Sequence, residues 1–174
     1  MKPTYLLFLF AALAFTSCTN EKKVDAITEK TTLQPFTDTV KLDTFKLTLT
    51  GKKSDDMVLK FTITNYEGAE IYNKEIKATD LLKSYLASED LKNESDKITF
   101  INEQINVFFD EEHFLVPAIT EDQKLDDNTP DKAFYEELKQ TQLNGFYYSL
   151  GKDKSIYIAW SNKDKKVKTY YHCC

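Results

Sequence analysis

Imidazole and thiol chemistry in this chain is confined to five side chains, His113, His172, Cys18, Cys173 and Cys174. Three of them follow one another as His172-Cys173-Cys174, soft donors of the kind that suit Cu(I) or Zn(II). Adjacent residues of an extended chain point to opposite faces, so the triplet makes a poor joint ligand set, and no metal site is read from it. In an oxidising compartment Cys173 and Cys174 can close a strained vicinal disulfide, pair between molecules, or stay as thiols. Neither histidine belongs to a two-His helical metal motif or stands near a nucleophile elbow, so no hydrolase machinery of a known type is legible. Gly51, Gly68, Gly145 and Gly151 all fall at expected turns. No glycine-rich loop is left to cradle a phosphate, and no cofactor is read.

Carboxylates and tyrosines offer the remaining chemistry. From Asp110 to Glu137 ten acids face Lys124 and Lys132, a net of −8, whereas Leu138 to Cys174 holds seven lysines and two aspartates, a net of +5. Opposite signs in neighbouring segments suit internal pairing and solvation. An acidic band around Asp110, Glu111 and Glu112 would also steer a basic protein partner. Calcium is a weaker reading, because Asp122-Gln123-Lys124-Leu125-Asp126 puts a lysine at the third ligand position and has no glycine at the sixth. In the last third of the chain Tyr147, Tyr157, Tyr170 and His172 fall on the face opposite Phe146, Tyr148, Ile158 and Trp160. Such a tyrosine stripe either forms cross-strand aromatic pairs that support the sheet or, if exposed, stacks on a sugar or anchors a protein.

Composition limits the partners. The 174 residues carry 28 Asp plus Glu against 23 basic residues, every one of them lysine, for a net charge of −5. Without the planar fork of arginine and with a repulsive net charge, nucleic acid is excluded as a partner. Twelve Phe and ten Tyr supply the bulk for a packed core, which argues against wholesale disorder although 29% of residues are charged.

At the beginning, Lys2 precedes an apolar run of eleven residues from Tyr5 to Phe15. At about 1.5 Å per residue this covers about half of a bilayer's hydrocarbon. A short positive region, a short apolar region and then small residues is the layout of a secretory signal. Here Thr16 and Ser17 lead into Cys18, and Phe15-Thr16-Ser17-Cys18 resembles the lipobox of bacterial lipoproteins, with Phe15 where leucine is usual. The resemblance implies removal of residues 1–17 and acylation of Cys18, which becomes the new N-terminus. Two or three acyl chains, at about 0.8 kcal/mol per buried methylene, would then moor the protein to a membrane face. Thr19 follows the cysteine where an inner-membrane retention signal would place Asp, which favours the outer membrane, on its periplasmic or surface side. The chain as a whole resembles the uncharacterised small envelope lipoproteins of Bacteroidota.

The chain beyond the anchor must position these groups. Residues 18–38 are polar and without apolar period and read as a lipidated cysteine and a flexible tether, leaving 39–174 as one globular domain. Phe45, Leu47, Leu49 and then Met57, Leu59, Phe61, Ile63 alternate with polar residues as a hairpin, with a third strand over Glu70–Lys77 after the turn at Gly68. Leu81, Leu82, Tyr85 and Leu86 predict a helix of about three turns capped by Thr79. Ile98 and Phe100, Ile105 to Phe109, and His113 to Ile119 read as two or three further strands, with Pro117 pointing to an edge or a strand end for the last. Thr129-Pro130-Asp131 predicts a helix start and Asn144-Gly145 its end. Phe146–Leu150, Ile156–Trp160 and Val167–Tyr171 then form a three-strand meander. The sum is an α+β fold, a mainly antiparallel sheet of about six to eight strands with two helices, covered on one side.

Function is legible only in outline. The reading is a membrane-anchored, non-enzymatic binding or structural module of the cell envelope. A narrower alternative is an immunity or inhibitor lipoprotein whose acidic band occludes a basic secreted toxin. The alternative from another class is an envelope hydrolase with an unrecognised carboxylate site among Asp110, Glu111 and Glu112. Mass spectrometry of the native polypeptide is expected to find Cys18 acylated at the mature N-terminus; an intact leader or a bare thiol there would overturn the anchor.

Overall fold

Alternation in the sequence builds the first sheet. In β2 (Leu42–Thr50) the side chains of Asp43, Phe45, Leu47 and Leu49 are buried, while Thr44, Lys46 and Thr48 lie on the other face. β3 (Val58–Thr64) repeats the pattern with Leu59, Phe61 and Ile63. Gly68 takes the left-handed conformation, φ 88°, in the reversal that leads to β4 (Glu70–Lys77). The computed structural model describes residues 29–86, 91–152 and 154–173. Within them β1 (Glu29–Pro35) pairs antiparallel with β2, Glu29 opposite Thr48 and Pro35 opposite Leu42. The stretch read as a tether therefore contributes an edge strand from Glu29 onward, and the order is β1-β2-β3-β4. Residues 1–28, with the signal peptide, Cys18 and the first part of that tether, lie outside the described residues, as does Cys174.

The second sheet is the expected meander with one short addition. β6 (Gly145–Ser149), β7 (Ser155–Ser161) and β8 (Lys166–Cys173) are antiparallel neighbours, and β5 (Phe114–Leu115) joins at the β6 edge. β5 stops before Pro117, whose missing donor suits a strand end. Among the described residues, eight strands in two four-stranded antiparallel sheets and three helices give the α+β class, with the strands divided between two sheets.

Helices depart from the sequence reading at three places. α1 (Ala78–Leu82) is little more than one turn, and Lys77, not Thr79, holds its cap position without a side-chain bond. The stretch read as strands around Ile98 and Ile105 is instead α2 (Glu94–Val107). A reciprocal cap starts it, the Asn93 side chain accepting from the Asp96 amide at 2.9 Å and the Asp96 carboxylate accepting from the Asn93 amide at 3.3 Å. Ile101, Ile105 and Phe108 then recur at helical spacing on the buried side. α3 (Lys132–Thr141) begins two residues later than the proline suggests, because Asp131 accepts from the Phe134 amide at 3.0 Å. It ends on Gln142 in the left-handed region, φ 52°, and Gly145 belongs to β6.

Two cores result. Between the sheets, Phe45 and Phe61 each lie 5.4 Å from the Phe146 ring, with Phe108 and Phe109 of the α2 end packed beside them. Tyr72 and Tyr148 bring their hydroxyls within 2.9 Å across the gap. Burial pushes both phenols up, which keeps them neutral donors and acceptors. The other face of the second sheet packs under α3 through Phe134, Leu138, Leu143, Ala159 and Tyr170. That sheet is therefore covered on both sides, where a single covered face is expected from the sequence.

Asp43 is the one fully buried carboxylate among the described residues, at 0% exposure. It accepts from the Thr37 amide at 2.6 Å, the Thr37 hydroxyl at 3.0 Å and the Tyr66 amide at 2.8 Å, tying the β1–β2 connection to the β3–β4 turn. Asp43→Ala is expected to cost about 2 kcal/mol in denaturant unfolding, because three donors lose their acceptor. A loss below about 0.5 kcal/mol, the scale of an ordinary surface change, would show that the tie is dispensable.

Candidate functional site

Tyr157 stands at the centre of an aromatic corner that the strand register creates. On β7 it faces away from the intersheet core while Ile158 faces into it. Tyr157 pairs with Tyr171 of β8, but the next residue, Ile158, pairs with Thr169, so Tyr170 is the extra residue of a bulge. Strict alternation would send two successive tyrosines to opposite faces. The bulge lets both meet Tyr157, Tyr170 at 6.1 Å and 71° and Tyr171 at 5.3 Å and 84° between ring planes.

The corner is closed into a cleft of about 280 Å³ by α3 and by the connection after β5. Tyr135 of α3 supplies a fourth ring, and Leu115, Ala118 and Ile119 supply apolar surface. Gln123, Lys124 and Asp126 are its polar lining. Hydrogen bonds hold the connection to the sheet. The Tyr170 hydroxyl donates to the Ala118 carbonyl at 3.1 Å, and the Tyr171 hydroxyl donates to Asp126 at 3.0 Å. Asp126 also accepts from the Asn128 amide at 2.9 Å, which fixes the loop that carries it. Burial pushes the Tyr170 phenol far above its ordinary value. For Tyr135, burial and then the charges of Asp126 and Glu136 act in the same direction. At Tyr171 the Asn128 amide lowers the value while the Asp126 bond, burial and the Asp126 charge raise it, for a net rise. All three phenols are thus neutral near pH 7, polar ring surfaces and not phenolate nucleophiles.

The residues singled out in the sequence divide between this cleft and other places. Tyr157 lines it, and Tyr147 stacks on Tyr157 as a cross-strand pair, 5.0 Å apart with 19° between planes. Tyr170 is only 3% exposed, so the picture of an open tyrosine stripe is corrected: Tyr170 is an inner wall, covered by Ala118 and α3. His172 is exposed at the next position but one, and Cys173 is half-buried at the end of β8. Asp110, Glu111 and Glu112 are all exposed, on a single 3-10 turn over Glu111–His113 and the residue before it. They do not line the cleft, and Asp110 lies 3.9 Å from Lys30 of β1. His113 forms an Nδ1 bond with the Phe108 carbonyl at 2.8 Å, which orients its ring against Tyr147. Among the described residues no three of His, Cys, Asp and Glu gather as a metal-ligand set, and no helix is long and apolar enough to cross a membrane.

The acidic and basic segments do meet. Lys168 pairs with Asp131 at 2.7 Å and with Asp164 at 2.6 Å, holding both carboxyls below their usual range. Glu137 accepts from the Ser161 hydroxyl at 2.9 Å and the Lys163 amide at 3.1 Å, which pins α3 to the β7–β8 turn. Tyr135 and Tyr171 are cleft tyrosines that the sequence reading does not single out, and Asp126 enters it only within the loop weighed for calcium. Tyr135 is spaced with Phe134 and Leu138 on a recognisable amphipathic helix, a signal present in the chain; the bulge that recruits Tyr171 has no such signature.

No family model, curated protein or solved structure matches the chain. The chemistry of the cleft has to be read from its own geometry. One backbone position there admits only glycine. A Cβ on Gly145 would stand 2.8 Å from the Tyr170 hydroxyl and 2.9 Å from the Ala118 Cβ, so a side chain forces the wall apart. Gly145→Ala is expected to lower stability by about 1–3 kcal/mol, the cost of overpacking, and to shift the ring resonances of Tyr170. An unchanged Tm together with unchanged Tyr170 resonances would contradict that close contact.

Proposed function

We propose that the chain is a lipid-tethered, non-enzymatic binding module of the bacterial envelope, anchored through Cys18 and working through the tyrosine-lined cleft. The cleft is the observation that carries the reading: four tyrosine rings and three apolar side chains around one small concavity, with polar groups at Gln123, Lys124 and Asp126. Apolar and aromatic walls with few polar groups are the common make-up of small-ligand sites. Its volume, about 280 Å³, lies just under the usual range of about 300–1,000 Å³ and suits a headgroup-sized ligand. Asp126 is the single carboxylate of the lining and is engaged by the Tyr171 hydroxyl. Hydrolysis by paired acid and base asks for two such groups, which supports binding over catalysis. The lipobox-like Phe15-Thr16-Ser17-Cys18 and the Thr19 after it support an anchor in the outer membrane.

NMR spectra of the full chain, recorded with small neutral, cationic and anionic fragments in turn, test the reading. At least one class is expected to move the methyl signals of Leu115, Ala118 and Ile119 together with the ring signals of Tyr135 and Tyr157. A cleft whose signals stay in place across all three classes would overturn it.

A further inference from the structure

We infer that the cleft is selective for a small organic cation, a quaternary or alkylated ammonium headgroup seated in the tyrosine corner beside Asp126. This rests on the cleft being a binding site and adds the class of ligand. The observations are geometric. Tyr170 and Tyr171 stand at 71° and 84° to Tyr157, so the rings make the walls of a corner instead of a flat stack. A rounded ligand in that corner meets ring surface from more than one side. Ring quadrupoles attract cations, and aromatic cages are the recurrent answer to ammonium groups too crowded to donate hydrogen bonds.

Charge points the same way. The Asp126 carboxylate lines the cleft and is held in place by the Tyr171 hydroxyl and the Asn128 amide, at 3.0 and 2.9 Å. The loop that carries it holds Glu121, Asp122 and Asp127 as well, against Lys124 of the lining and the Lys139 ammonium on the Glu121 carbonyl. An excess of acids on the loop beside an apolar concavity concentrates cations and repels anions. Burial first, and then the charges of Asp126 and Glu136, raise the Tyr135 phenol of the same cleft. A cation already sits near one of the rings: the Lys139 ammonium lies 5.9 Å from the Tyr135 centroid while donating to the Glu121 carbonyl. The tyrosine rings and one fixed carboxylate supply the attraction, and the opposing charge of the lining, Lys124, is solvent-exposed and so screened.

Choline and its uncharged carbon isostere, 3,3-dimethylbutan-1-ol, share one shape and differ in charge. Titrated separately into the full chain and followed by the Tyr157 and Ala118 signals, choline is expected to bind about fivefold or more tightly than the isostere at low salt. Asp126→Asn keeps an acceptor for the Tyr171 hydroxyl, and there the ratio of the two affinities is expected to fall toward one. Equal affinity of the two probes in the wild-type chain would overturn the cation inference and leave the binding site standing. Binding of neither, together with silence toward every fragment class, would remove both.

Discussion

Packing on both faces of the second sheet is the constraint on which the rest of this molecule depends. A strand buried on both sides cannot alternate apolar with polar residues; it has to alternate two kinds of apolar surface. β6 and β7 do so with aromatic and aliphatic groups. Phe146, Tyr148 and Ile158 enter the intersheet core, Tyr157 and Ala159 turn toward α3 and the connection after β5, and Tyr147 stacks on Tyr157. One sheet thus serves as the floor of two separate cores. The first core is tight, built on phenylalanine contacts near 5.4 Å. The second is smaller and incompletely filled, and the unfilled part is the cleft.

That division explains why a cleft exists at all. α3 has ten residues, enough to cover part of a four-stranded sheet through Phe134 and Leu138. The remainder is roofed by an irregular connection held by individual hydrogen bonds at Ala118, Asp126 and Asn128. Loops fill space less completely than a helix because their backbone polar groups also need partners. The tyrosines resolve this conflict. Their rings provide apolar wall while their hydroxyls reach the Ala118 carbonyl and the Asp126 carboxylate, so the space between sheet and loop is polar only at chosen points.

Charge is handled separately from the cores. Lys168 lies between Asp131 and Asp164, and its ammonium is also 4.8 Å from the Phe134 ring, so the α3 start and the β7–β8 turn are joined at one point. These half-exposed pairs contribute modestly to stability. Their stronger role is to fix the angle of α3 over the sheet, and with it the position of Tyr135. The acids around Glu111 and Glu112 remain in solvent, apart from the cleft.

Much of this was open to reading in the chain itself. Period-two alternation set out β2 and β3, because a half-buried strand writes its faces into successive residues, while the turn at Gly68 bounded β4 and apolar runs between turns marked the final meander. The lipobox-like segment and the absence of arginine are equally local facts. Elsewhere the residues alone pointed the wrong way. Ile98 to Phe109 favours a strand by composition, and only the reciprocal cap between Asn93 and Asp96 and the pattern of burial reveal a helix. β1 has no apolar pattern of its own, since an edge strand is specified by the open hydrogen-bond row of its neighbour. The bulge that brings Tyr170 and Tyr171 together against Tyr157, and the union of Asp126 with them, were decided by tertiary structure. Register between distant strands and the path of a connection minimise the energy of the whole assembly, and no window of residues contains that sum.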